Sequence, residues 1–163
     1  NYENLRYEGF GISNVAFVIE TLTDNKNRSA SSIRTVLQKN GGRLGESGST
    51  THLFNNCGVI HIDKKNCTEE EVFEMATNFG AKDYFHLESI HEIISEKEDF
   101  YKIKSLFEKK IDNFEYSGIE WRALTYLDLN KEQNEKIIEI LESLEELDDV
   151  QNIYTNASLG NIK

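Results

Sequence analysis

The stretch GVIHIDKKNCTEEEVFEMATNFGAKDYFHLESIHEIISEKEDF, residues 58–100, decides the fold. It opens with GVIHID (58–63), short, apolar and β-branched, which is a strand pattern. Thr68 with Glu71 three residues later is a capping-box signature. Val72, Phe73, Ala76 and Phe79 then recur at helical spacing up to Gly80. DYFHLES (83–89) and IHEIIS (90–95) are two β-like runs close enough to form a hairpin. Ser95 with Glu98 reads as a second capping box, opening a helix that buries Phe100, Ile103, Leu106 and Phe107. A last strand falls within FEYSGIEWRALTYLDL (114–129). The order β-α-β-β-α-β is the split arrangement of a ferredoxin-like unit.

The segments on either side fit no part of that unit. VAFVIETL (15–22) suits a buried strand, and LRYEGFG before it a partner strand ending in glycine loops. Ser29 stands where an N-cap belongs, ahead of ASSIRTVLQKN, with Ile33, Val36, Leu37 and Asn40 at helical spacing. Gly41 follows as the C′ residue, with Gly42 behind it. After Asn130, with Gln133 at N3, another helix carries Ile137, Ile138, Ile140, Leu141 and Leu144. VQNIYTN (150–156) closes as a strand. This tail needs a sheet, and the unpartnered strands lie at the start of the chain. The expectation is therefore an α+β fold of two domains: a discontinuous α+β domain, 1–56 plus 128–163, with a ferredoxin-like domain, 57–127, inserted into it.

The chain has 163 residues, 38% apolar and 10% aromatic, enough for a real core rather than disorder. No apolar run approaches a membrane span and no signal-peptide pattern opens the chain, so a soluble protein is expected. Two cysteines, Cys57 and Cys67, are too few for a disulfide framework and suggest a reducing compartment.

The formal charge is −11, which by itself implies repulsion from phosphate. The charge is uneven, however. Residues 1–55 hold six Lys/Arg and five Asp/Glu, whereas residues 56–163 hold twelve and twenty-four. Six of the ten glycines fall in the first 48 residues, alongside the cations of TDNKNRSASSIRTVLQKNGGRLG (23–45). Arg34 and Gln38 share a helix face, with Lys39 at its end. Lys26 and Arg28 are expected just before the helix, and Arg43 in the Gly-rich turn after it. Cations at both ends of a short helix can follow a phosphate backbone. Gly41, Gly42, Gly45 and Gly48 would let main-chain N–H groups approach a ligand. The alternative is a solvated helix with a Schellman-type end.

Other constellations carry less. The G-x-G at 9–11 lacks the third glycine and the helix of a dinucleotide site. His52, Cys57, His61 and Cys67 fit no zinc-finger spacing. No nucleophile elbow or distinguished carboxylate pair points to an enzyme. EELDD (145–149) reads as a solvated helix end that would turn nucleic acid away from its face. Trp121 is read as core packing.

YEGFG, then VAFVIETLTDNKNRSASSIRTVLQKNGGRLGESGSTTHLF, then GVI, with DDVQNIYTN near the end, together resemble the YebC/PmpR family over essentially the whole chain. The resemblance implies regulators of gene expression, some described as DNA-binding transcriptional regulators. Others are translation factors acting with the ribosome, including a mitochondrial translational activator. It implies no cofactor, and a ferredoxin-like domain inserted into an α+β domain. Family members carry a lysine-rich N-terminal helical domain, so this chain looks like a piece beginning just after it. The family loop G-Y-G-P-G-G is here Gly9-Phe10-Gly11-Ile12-Ser13-Asn14.

The expected role is a DNA-binding transcriptional regulator, using Lys26, Arg28, Arg34, Lys39, Arg43, Gly41, Gly42 and Gly45. The alternatives are a ribosome- or RNA-associated translation factor and a protein–protein module. Expected partners are duplex DNA or ribosomal RNA, with the ribosome itself as a further one, and no membrane or small-molecule substrate. The location would be cytoplasmic in a bacterium, or a mitochondrion or other organelle in a eukaryote.

Overall fold

A computed structural model describes residues 1–159. The strands are β1 (Glu3–Phe10), β2 (Ala16–Thr23), β3 (Arg43–Gly45), β4 (Phe54–Asp63), β5 (Asp83–His86), β6 (Ile90–Glu96), β7 (Tyr116–Ala123) and β8 (Val150–Thr155). The helices are α1 (Lys26–Lys39), α2 (Glu69–Phe79), α3 (Phe100–Glu108) and α4 (Lys131–Glu145). The fold is α+β, with two four-stranded sheets in the orders β3-β1-β2-β8 and β5-β6-β4-β7. The chain divides into two compact units, Asn56–Trp121 and a discontinuous one made of Asn1–Asn55 and the residues from Arg122 onward.

The inserted unit has the strand order of a ferredoxin-like sheet, with β6 antiparallel to both β4 and β5. Alternation puts Ile60, Ile62 and Ile93 on the face that buries Val72 of α2 and Phe100, Ile103 and Phe107 of α3. The expected box at Thr68 and Glu71 is present in both directions. The one expected at Ser95 is not. Ser95 is buried in β6, opposite Gly58 of β4, and α3 starts after a 3-10 turn at Lys97–Asp99 with no side-chain cap. Pairing of β4 with β6 runs on to Cys57 and Glu96, so the ladder claims the serine before a helix can.

In the discontinuous unit, β2 is central; its inner face is apolar at Phe17 and Ile19 and continues with the buried Thr21 and Thr23. Phe17 and Ile19 meet Ile33 and Leu37 of α1 and Ile137, Ile140 and Leu144 of α4. Each such side chain stabilises the fold by about 1.5–3 kcal/mol on burial. The closing strand β8 pairs antiparallel with β2, and Asn156 Oδ1 accepts from the Ala16 N–H at 2.8 Å. The Asn130–Gln133 box that opens α4 is complete.

Along β1 the two faces separate cleanly. A Cβ on Gly9 would meet Leu37 of α1, and Tyr7 packs against the core, so odd positions face the helices. Glu8 and Phe10 therefore face the opposite side. There Glu8 is buried, its carboxylate accepting the N–H groups of Gly48 (2.7 Å), Thr50 (2.9 Å) and Thr51 (2.8 Å) and the Thr50 hydroxyl (3.1 Å).

α1 ends in a complete Schellman motif. The Gly42 N–H reaches Leu37 O at 2.7 Å and the Gly41 N–H reaches Gln38 O at 3.3 Å, with Gly41 at φ 80°. Gly42 lies so close to Phe10 that a Cβ would fall inside the contact distance of its carbonyl oxygen. Gly42→Ala is therefore expected to lower stability by roughly 1–3 kcal/mol. An unchanged midpoint in urea denaturation would show that β3 shifts freely.

Candidate nucleic-acid interface

α1 starts one turn earlier than its serine suggested. Asn25 is the N-cap, its side chain accepting the Arg28 N–H at 3.0 Å. Ser29 is buried inside the helix and donates its hydroxyl to Asp149 Oδ2 at 2.6 Å. Lys26 and Arg28 thus belong to the first turn rather than preceding it. The helix KNRSASSIRTVLQK carries four cations and no carboxylate, in a chain that holds 29 of them.

The exposed surface of α1 is ordered by its pitch. Successive residues are about 100° apart, so Arg34 and Lys39 lie about 140° apart, on the two flanks of the outward surface. Asn27, Ser31, Thr35 and Gln38 lie between them, all exposed. Lys26 lies about 80° beyond Arg34, off the outward surface and in line with the buried Ile33 and Leu37, and is exposed because it opens the first turn, while Arg28 falls on the Lys39 side. Lys26, Arg34 and Lys39 are exposed and make no ion pair with any described residue.

Arg28 is different. Its guanidinium donates to Asp24 Oδ1 at 2.8 Å and to Asp149 Oδ1 at 2.9 Å, with Nε 3.2 Å from Asp149 Oδ2. Asp149 also accepts from Ser29 and Thr23. The Asp149 and then the Asp24 carboxylates push the Arg28 pKa up. Arg28 in turn holds both carboxyls below their usual range, helped at Asp149 by the Ser29 hydroxyl. The charge of Arg28 is thus compensated at the surface by two carboxylates of the same chain.

Arg43 is placed elsewhere again. On β3 it is the cross-strand partner of Phe10, and its guanidinium lies 4.5 Å from the Phe10 ring centroid. Phe10 faces away from α1, so Arg43 lies on the opposite side of the sheet from Arg34 and Lys39. The five cations close in sequence therefore do not form one surface.

The glycines form the turn rather than a cradle. The N–H groups of Gly41 and Gly42 are committed to helix carbonyls and that of Gly48 to Glu8, while Gly45 packs against Ser49. Sequence reasoning missed Asp149 and Glu8. Asp24 and Arg28 have the i, i+4 spacing of a helical ion pair, but Asp149 is 121 residues from Arg28. A faint signal was the acidic run itself, because carboxylates beyond a helix C-terminus gain nothing from its dipole.

Trp121 is half-buried on β7, an outer strand, rather than in the core. His61 Nε2 lies 2.8 Å from Glu92, and Cys57 and Cys67 are buried. Among the described residues no three His, Cys, Asp or Glu side chains converge on a metal-sized site.

Fold and surface together define a two-unit α+β protein with a ferredoxin-like insertion and an acid-free, cationic helix. The model of the TACO1/YebC second and third domain matches residues 2–157, and the chain belongs to that family. A relative from Pelagibacter ubique named a probable transcriptional regulatory protein is 46% identical, over 99% of this chain and 67% of its own length. One of the same name from Zymomonas mobilis is 41% identical, over 96% of this chain and 63% of its own. A solved structure, a conserved hypothetical protein from Aquifex aeolicus, superposes with a TM-score of 0.84 at 36% identity, over 96% of this chain and 65% of that one. The chain thus spans about two thirds of the length of these relatives. Among its described residues no helix is long and apolar enough to cross a membrane.

Proposed function

We propose that this chain contributes to the regulation of gene expression by binding nucleic acid through the outward surface of α1, with duplex DNA as the primary target. The observation that carries this is the composition of α1, four cations and no carboxylate on a chain of net charge −11. The arrangement suits a groove. A helix about 10–12 Å across fits the major groove, about 12 Å wide. Arg34 and Lys39 on its flanks would reach phosphates, and Asn27, Ser31 and Gln38 between them offer hydrogen-bonding groups to base edges. Asp24 and Asp149 lie against the first turn of α1 and repel phosphate there, so phosphate contact is expected at Arg34 and Lys39 instead. The relatives' names, probable transcriptional regulatory protein, agree with this role, and with regulation rather than catalysis. The bacterial sources of those relatives favour a cytoplasmic site of action.

A second reading, binding to structured RNA such as that of the ribosome, is favoured by Arg43. Its side chain lies on the sheet face that a duplex on α1 does not reach. Titration against duplex DNA and against purified ribosomes at two salt concentrations separates the two. Salt-sensitive DNA binding that exceeds ribosome binding is the expected result. Tight ribosome binding with negligible DNA affinity would move the function to translation, and binding to neither would remove the nucleic-acid reading.

A further inference from the structure

The pair formed by Arg43 and Phe10 is not used by the groove-facing helix, and its geometry is specific. Phe10 is half-buried on β1 and presents one ring face to the guanidinium, whose carbon lies 4.5 Å from the ring centroid. Arg43 is exposed and makes no ion pair with any described residue, so no carboxylate turns its plane aside. Its position is fixed from both directions. The β1–β3 register sets it directly across from Phe10, and the Schellman turn with the close approach of Gly42 to Phe10 O delivers the chain there without slack. The guanidinium is held over the ring on one side while Arg43 itself is exposed, so it keeps surface that a flat ligand can meet.

We propose that Arg43, backed by Phe10, is a stacking platform for a single unpaired nucleobase. The inference rests on the nucleic-acid reading above and adds a ligand to it: a single-stranded or looped segment, rather than the paired duplex addressed by α1. Guanidinium planes and aromatic rings both accept bases by stacking, a contact tolerant of sequence because every base has a π-face. A paired base stays in its stack and does not reach such a platform. A phosphate would engage the guanidinium through its N–H edge and would have no need of the ring behind it. The layer order of ring, guanidinium and solvent therefore selects a flat, uncharged ligand.

The test is a cycle of two strands and two variants. A short oligo-adenosine RNA and an abasic strand of the same length and charge are titrated against the native chain, Arg43→Lys and Phe10→Leu. The native chain is expected to prefer the oligo-adenosine by roughly tenfold, within the range of one stacked base. Arg43→Lys keeps the charge but loses the plane. It should reduce the preference to less than about twofold while leaving abasic-strand affinity unchanged. Phe10→Leu should reduce it partly, and it tests the backing ring where a folding defect is excluded by an unchanged thermal midpoint.

Equal native affinity for the two strands, or a preference that survives both substitutions, overturns the platform. If duplex DNA still binds in an Arg34-dependent way in that event, only the platform fails. If no strand or duplex binds at all, the nucleic-acid reading falls with it.

Discussion

Glu8→Ala is expected to lose about 3–5 kcal/mol of stability, the cost of removing one partner from a buried charged network. The carboxylate is 2% exposed and accepts three main-chain N–H groups and a hydroxyl from residues 48–51. Without it the buried Thr50 N–H loses its acceptor, the Gly48 and Thr51 N–H groups lose theirs, and the loop over β1 loses its anchor. The same geometry sets a pH dependence. Burial pushes the Glu8 carboxyl up, but the N–H groups of Gly48, Thr50 and Thr51 and the Thr50 hydroxyl outweigh it and hold the pKa at about 2, against 4.5 for a free glutamate. A depressed folded pKa means stability that is complete above pH 4.5 and is lost as pH falls towards 2. Glu8→Gln keeps one acceptor oxygen, costs less at neutral pH, and removes this contribution to acid sensitivity. Urea denaturation at pH 7 and pH 3 checks both statements. A midpoint for Glu8→Ala equal to that of the native chain would show that the loop does not depend on the carboxylate.

Reversing Arg34 and Lys39 to glutamate together is expected to weaken duplex binding by about 30-fold at low salt. Losing two phosphate contacts should lower the slope of log K against log[salt] by roughly 1.8 in magnitude. The two side chains are exposed and make no ion pair with any described residue, so the folded state should tolerate the change. Far-UV circular dichroism and the thermal midpoint guard against a trivial loss. Full nucleic-acid binding in the reversed chain would transfer the role of the basic surface to a protein partner.

The fold was largely legible because its signals were local. Period-two and helical patterns gave the strands and helices, and the boxes at Thr68 and Asn130 marked two helix starts correctly. The need of β8 for a sheet pointed to the unpartnered strands at the start of the chain, and the strand it joins there is β2. Errors came where a long-range partner outbid a local one. Ser29 has the chemistry of a cap but bonds to Asp149, and Ser95 precedes an acidic residue at the right spacing but lies in a ladder with β4. The interface was less legible for the same reason. Clustering in sequence could not show that Arg28 is neutralised by a residue 121 positions away. Nor could it show that one residue past a turn puts Arg43 on the far face of the sheet.

In the proposed interface the outward cations of α1 bind phosphate while Arg28 is withheld by Asp24 and Asp149. The most direct measurement is the salt dependence of duplex binding for the native chain, Arg34→Gln and Arg28→Gln, side by side. The slope should fall by about 0.9 in Arg34→Gln and stay unchanged in Arg28→Gln. An equal fall in both would mean that phosphate displaces Asp149 from Arg28. No change in Arg34→Gln would contradict the assignment of the interface to α1.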